Sequence, residues 1–329
     1  MKKIINRPSD VVTQLLNGIA FTHDHLLARV PQTGILYSKH LAEKTVSIIS
    51  GGGTGHEPAH SGYVGKNMLA ASVNGPVFIP PTAAEIFQAI QLVDQGQGVL
   101  LIIKNFEADV ASFLEAERLA IAAGHQVGHI IVNDDCSIDS HNFKKRRRGV
   151  AGTVFVHKII TAAAHEGMAL ADLISLGEQV VLALNTLGVA LAPASKPGAH
   201  APHFELGEHD ISFGIGIHGE EGYREEPFVS SEVLANELIN KLKSQYHLKP
   251  GSRLAILVNG LGSTPLMELF IFTNDVRRLL ALEGYDVCFK KVGNYMTSLD
   301  MQGVSLSFLE IKDDKWLDYL EMPVETYSW

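Results

Sequence analysis

The chain has 329 residues, 46% of them hydrophobic and 19% charged, with a formal net charge of -9. That length supports two domains, that balance excludes a disordered chain, and the acidic total argues against a general nucleic-acid or membrane-surface binder. The two cysteines, Cys136 and Cys288, stand far apart with no metal-ligand spacing, which argues against a disulfide framework and fits a reducing cytosol.

The charged N-terminus has no apolar stretch behind it of signal-peptide length. The longest apolar runs, such as residues 99–103, match a buried strand rather than a membrane span. A soluble, cytoplasmic protein is expected.

Ser9 is placed to cap a helix whose apolar positions Val12, Leu15, Leu16 and Ile19 recur at helical spacing. Residues 45–49 read as a strand that runs into Ser50-Gly51-Gly52-Gly53-Thr54-Gly55-His56-Glu57-Pro58. A short strand over 68–73, a helix over 82–94 and a buried strand over 98–103 follow. Next come a helix over 108–123 closed by Gly124, a strand over 127–132, and helices over 150–166 and 170–184. Residues 192–210 are rich in Pro, Gly, Ala and His and mark the domain junction. They divide the chain into an N-terminal domain over 1–190 and a C-terminal domain over 191–329. The second half reads as a strand over 211–217, helices over 230–243 and 265–282, and strands over 254–258, 286–292 and 304–309.

This alternation predicts the α/β class with two α/β domains. The first is expected to hold a largely parallel sheet covered by helices, the second to be a smaller mixed α/β domain. Ligands in such sheets sit beyond the carboxyl ends of strands, where residues 51–56 and 104–109 both fall.

The glycine run permits positive φ and close backbone approach. It fails the dinucleotide fingerprint because His56 stands at the third glycine position, and it fails the Walker pattern because no Gly-Lys-Ser/Thr follows. Taken alone it reads as a tight turn, and the imidazole and carboxylate that follow it point towards a ligand pocket. Asp109 reads either as a helix cap or as a site residue. His218, after the glycine-alternating stretch 211–217, reads either as a structural hydrogen-bonder or as a reactive group.

Together these segments resemble the dihydroxyacetone kinase DhaK family. The match runs through Gly51-Gly52-Gly53-Thr54-Gly55-His56-Glu57-Pro58-Ala59-His60, Lys104-Asn105 to Asp109, and Arg147-Arg148-Gly149-Val150-Ala151-Gly152. It continues through Phe213-Gly214-Ile215-Gly216-Ile217-His218-Gly219-Glu220, Asn259-Gly260-Leu261-Gly262-Ser263-Thr264 and Thr297-Ser298-Leu299-Asp300-Met301. The resemblance covers nearly the whole chain, in order.

It implies that the imidazole of His218 adds to the ketone carbon of dihydroxyacetone, forming a hemiaminal. Neutral imidazole is the nucleophile, and its ordinary pKa of roughly 6.5 makes that form available at neutral pH. Glycerol, lacking a carbonyl, would be rejected. The resemblance further implies that His56 and Asp109 hydrogen-bond the triose hydroxyls, with Gly53 and Lys104 lining the pocket. In a kinase, Asp109 would be the general base, helped by His56. Family subunits carry no nucleotide site, so no cofactor and no metal are expected on this chain. Kinase activity would need a separate DhaL subunit. A homodimer is also implied.

Three departures stand out. Kinase subunits typically read Phe-Thr-Ser-Pro-Thr where this chain has Phe78-Ile79-Pro80-Pro81-Thr82, and a small polar residue and glycine where it has Glu107-Ala108. Fewer donors and an added carboxylate work against phosphoryl transfer. The third is the basic run from Lys144 to Arg148, read either as a solvated loop or as a docking patch for an acidic partner, with no direct DNA contact expected. Neutral drift would explain all three. The alternative is a chain that keeps ligand capture and loses catalysis, like the DhaQ branch of the family. Those coactivators bind dihydroxyacetone and act with a TetR-type regulator, DhaS, on the dha operon.

Overall fold

Short all-apolar runs alternating with amphipathic helices form strands that must be covered on both faces, since neither face carries enough polar side chains to meet water. A computed structural model describes residues 2–138, 146–199, 201–220 and 222–329. The chain divides into two units. The first comprises Met1–Val132, Phe155–Gln179 and Tyr319–Trp329, and the second Asn133–Val154 and Val180–Asp318.

The first unit opens with α1 (Val11–Thr22), β1 (Leu27–Arg29) and β2 (Ile35–Ser38), followed by β3 (Ser47–Thr54), β4 (Ala71–Val77) and α2 (Ala83–Val93). Then come β5 (Val99–Lys104), α3 (Glu107–Ala122) and β6 (Val127–Val132), with most of α4 (Thr153–His165) and α5 (Leu170–Leu182). The sheet order is β1-β2-β4-β3-β5-β6. Strands β4, β3, β5 and β6 are parallel, and β1 and β2 add an antiparallel edge. Ile49, Val73, Ile86, Ile90, Leu101 and Phe113 form part of its buried core. Helix α2 starts on a capping box in which Thr82 accepts from the Glu85 backbone N–H and Glu85 reaches back to Thr82. The expected cap at Ser9 is corrected: a 3₁₀ turn, Pro8–Asp10, precedes α1, and Ser9 Oγ instead donates to Asp10 Oδ1.

The second unit holds β7 (Leu184–Ala192), β8 (Asp210–Phe213), β9 (Arg224–Pro227), α6 (Ser231–Lys243) and β10 (Arg253–Gly260). It continues with α7 (Leu266–Leu282), β11 (Asp286–Gly293), β12 (Gln302–Glu310) and most of α8 (Asp314–Glu321). The order is β11-β10-β12-β7-β8-β9, with β10 and β11 parallel and the other pairs antiparallel, so this sheet is mixed. Leu187, Phe213, Leu238, Ile256, Phe272 and Phe308 lie in its core.

Two expectations shift here. Strand β7, paired along β12, covers residue 184, expected to end a helix, and residues 185–191, for which no element was expected. The division between the units therefore differs from a single junction near 190. The strand expected over 211–217 stops at Phe213, because Gly214 takes φ 75, which ends extended backbone. Among the described residues no helix is long and apolar enough to cross a membrane.

Candidate functional site

In the first unit the glycines of the signature lie mostly inside β3, not in a loop. A Cβ on Gly51 would stand 2.3 Å from the Val73 carbonyl oxygen of β4, and one on Gly53 would stand 2.5 Å from the Ile79 nitrogen. Gly55, at φ 96, leaves room for the Phe78 ring, which stacks on His56 at 5.0 Å between centroids. These glycines therefore serve close packing of the protein on itself. Gly52 differs. A Cβ there would meet Lys104 Nζ at 2.2 Å and Asp109 Oδ1 at 2.9 Å, so its missing side chain is what lets that ion pair approach the strand.

Lys104 ends β5 with its side chain fully buried. Its Nζ donates to the Gly51 carbonyl at 3.2 Å, lies 3.2 Å from His60 Nε2, and pairs with Asp109 Oδ1 at 3.6 Å. Burial lowers the Lys104 pKa and Asp109 opposes that shift. Asp109 is not the cap of α3: the N-cap is Phe106, and Asp109 sits within the first turn, buried, where the helix N-terminus favours negative charge. Glu107, in the same first turn, is exposed.

Two histidines absent from the expected set complete this cluster. His60 Nδ1 lies 2.9 Å from His157 Nε2 on α4, and both rings are buried. Burial, then Lys104, His157 and His56, hold the His60 pKa well below the usual histidine value. Burial and Lys104 push that of His157 down to about 3. His60 is readable in the signature, but His157 is 97 residues away and nothing local marks it.

In the second unit His218 follows β8, with its side chain 17% exposed. Its Nδ1 lies 3.4 Å from Glu220 Oε1, and its backbone N–H donates to Glu220 Oε2 at 3.1 Å. His203 Nδ1 meets the His218 carbonyl at 2.6 Å. Behind Glu220 stands Arg148, 4.0 Å away, whose Nε donates to Asp135 Oδ2 at 2.6 Å and whose Nη2 donates to the Gly214 carbonyl at 2.7 Å. Burial works to raise the Glu220 pKa, but His218 and then Arg148 overcome it and bring the group down to about 2.

The remaining glycines of this stretch clear space for the same groups. A Cβ on Gly216 would meet Glu220 Oε2 at 1.8 Å, and one on Gly219 would meet His203 Nδ1 at 2.3 Å. The carboxylate occupies the Nδ1 side of the ring.

Thus Lys104 and Asp109 meet in the first unit, where His56 acts electrostatically on the neighbouring His60 and Gly53 follows Gly52 along β3, while His218 belongs to the second. Glu220, Arg148 and Asp135 support it, with no role foreseen from sequence. The basic run is corrected in part. Lys144 and Lys145 lie outside the described residues, but Arg147 turns inward to the Ile138 carbonyl at 3.0 Å and to Asn185 Oδ1 at 2.9 Å, and Arg148 is the pair described above. Among the described residues no three His, Cys, Asp or Glu side chains gather in an arrangement that would hold a metal ion.

The DhaKLM operon coactivator DhaQ of Lactococcus lactis subsp. lactis is 51% identical to this chain, over 99% of it and 100% of that protein. The dihydroxyacetone-binding subunit DhaK of the PTS-dependent dihydroxyacetone kinase from the same organism is 46% identical, over 100% and 99%. A solved structure of a dihydroxyacetone kinase operon co-activator, Dha-DhaQ, superposes with a TM-score of 0.92 at 52% identity, covering 96% of this chain and 97% of that one. Residues 17–328 match the Dak1 domain, and with that span and those identities the chain belongs to the Dak1 domain family.

Proposed function

We propose that this chain captures dihydroxyacetone covalently on His218 and serves as a ligand-sensing coactivator of the DhaQ type, acting through a TetR-type regulator such as DhaS. The observation that carries the capture step is the Nδ1–Glu220 contact at 3.4 Å. It orients the ring and stabilises the positive charge that attack places on it. The Nε2 lone pair adds to the ketone carbon, the carbonyl π pair moves to oxygen, and that oxygen takes a proton as the ring gives up its Nδ1 proton. No atom of the triose is lost. The product is a hemiaminal, because a ring nitrogen has no second proton to shed for dehydration. Glu220, held low by His218 and then Arg148 against the effect of burial, orients the ring. His56 and Asp109 are assigned to the triose hydroxyls, with Gly53 and Lys104 beside them.

Support for sensing over catalysis comes from the 51% identity to a coactivator over its full length. It also comes from Pro80, which removes a backbone N–H donor, and from exposed Glu107, which adds negative charge to the helix turn that carries Asp109. Phosphoryl transfer needs donors and positive charge around the migrating group. The second reading is a DhaK substrate-binding subunit working with DhaL, favoured by the buried Asp109 carboxylate and by the 46% identity to such a subunit.

Intact-protein mass spectrometry with dihydroxyacetone tests capture: the mass should rise by the whole triose, and His218→Ala should abolish the rise while keeping the wild-type melting temperature. An adduct retained in His218→Ala would refute the assignment. A coupled assay with DhaL and its phosphoryl donor separates the roles. Turnover equal to an active DhaK control would make the chain a kinase subunit. Ligand-dependent association with the regulator, without turnover, is the outcome expected of a sensor.

A further inference from the structure

The mechanism above leaves the buried His60 and His157 unused. Ser50 Oγ lies 3.4 Å from His60 Nδ1, and its own proton is spent on the Ile102 carbonyl at 2.8 Å. Toward His60 it can only accept. A hydrogen on His60 Nδ1 therefore satisfies Ser50 weakly and His157 Nε2, 2.9 Å away, strongly. With that hydrogen on Nδ1, His60 Nε2 is a bare acceptor facing Lys104 Nζ at 3.2 Å. A lysine ammonium then donates to the Gly51 carbonyl and to His60 Nε2, and its charge faces Asp109 Oδ1 at 3.6 Å, beyond hydrogen-bond length. The chain ends at His157 Nδ1, a buried atom with no hydrogen-bond partner.

We infer that His60 and His157 are positioning residues: a tautomer lock that holds Lys104 as an ammonium directed at Asp109. Proton flow from Lys104 through His60 would have to leave by His157 Nδ1, where no acceptor waits. The histidines therefore lock the lysine and do not drain it. The alternative arrangement, with hydrogens on both Nε2 atoms, points a donor at Lys104 and forces it to be a neutral amine. That would leave the Asp109 carboxylate buried without its cation, the more costly state. The consequence for ligand binding rests on the reading that Lys104 and Asp109 contact the triose. The lock itself does not.

The test uses the full chain and two variants of His157. His157→Gln keeps an acceptor for the His60 N–H, whereas His157→Phe fills similar space without one. Histidine ¹⁵N spectra of the wild type should show His60 and His157 both carrying hydrogen on Nδ1 with Nε2 bare. His157→Gln should keep the His60 signature and bind dihydroxyacetone within about twofold of wild type. His157→Phe should shift the His60 hydrogen to Nε2 and weaken binding by roughly tenfold or more, the scale of a lost charge-assisted hydrogen bond. Hydrogen on His60 Nε2 in the wild type, or an unchanged His60 signature in His157→Phe, overturns the lock. If the wild type forms no adduct at all, the capture reading fails on its own, and the spectra still decide the lock.

Discussion

Glu220 shows how one side chain meets His218 twice, through its ring and through its backbone N–H. Glu220→Gln keeps the shape and removes the charge, so adduct formation should slow several-fold, a discount on a full charge-assisted bond because the carboxylate is 38% exposed. Time-resolved intact-mass measurement reads this directly. The same group has a pKa depressed to about 2 in the folded chain from an ordinary 4.5. Its stabilising contribution is thus present above about pH 4.5 and is lost as pH falls towards 2. Gly52 makes the complementary case in the first unit. Gly52→Ala would push a methyl group into Lys104 Nζ and Asp109 Oδ1, so it should weaken triose binding far more than it lowers the melting temperature.

Helices α1 and α2 offer opposite tests. Thr82 closes both halves of a capping box, and Thr82→Ala should cost about 1 kcal/mol in urea unfolding. Gly18, exposed in α1, has nothing within 4 Å of a Cβ placed on it, and its φ lies outside the left-handed region. Gly18→Ala should therefore stabilise by roughly 0.5–1 kcal/mol, through helix propensity and a less flexible unfolded chain. The reverse holds for Gly53 at the end of β3. There a Cβ collides with the backbone of Phe78 and Ile79, which cannot swing aside as a side chain would.

Across the whole chain the buried titratable groups set opposed responses to acid. His157 is held at about 3 against an ordinary 6.5, and His60 is lowered as well, so between those values the unfolded chain binds more protons. Stability from these residues falls as pH drops below about 6.5, by on the order of a few kcal/mol. Glu57 in the same unit is raised by burial and offsets part of this at lower pH. In the second unit Asp134, raised to about 6 by burial despite the N–H groups of Val150 and Gly152 that it accepts, works the other way. It binds its proton in the folded state first, so acidification from 6 towards 4 favours folding there. Hydrogen exchange at pH 7 and pH 5 should show the β3 and α4 amides losing protection while those around residues 150–152 hold theirs. Equal loss in both units would contradict this assignment.

Much of this was written in local sequence. Apolar runs with helical spacing between them marked β3, β5, β6, α2, α3, α6 and α7, because those elements bury a continuous stripe or face that periodicity displays. His218, His56, Lys104 and Asp109 stood out through residues contiguous with them. The short edge strands β1 and β9 carry too little pattern to be seen, and β7 was hidden behind the helix before it, since its register depends on β12 more than a hundred residues later. Long separations also concealed His157, 97 residues from His60, and the Arg148–Glu220 pair. Their neighbours meet only when parallel and antiparallel ladders align, and buried polar groups take their partners from whatever the ladders bring within hydrogen-bond reach. Sequence alone marked the residues proposed to carry the chemistry. Tertiary packing decided which partners hold those residues in place, and what a side chain at Gly51, Gly52, Gly53, Gly216 or Gly219 would collide with.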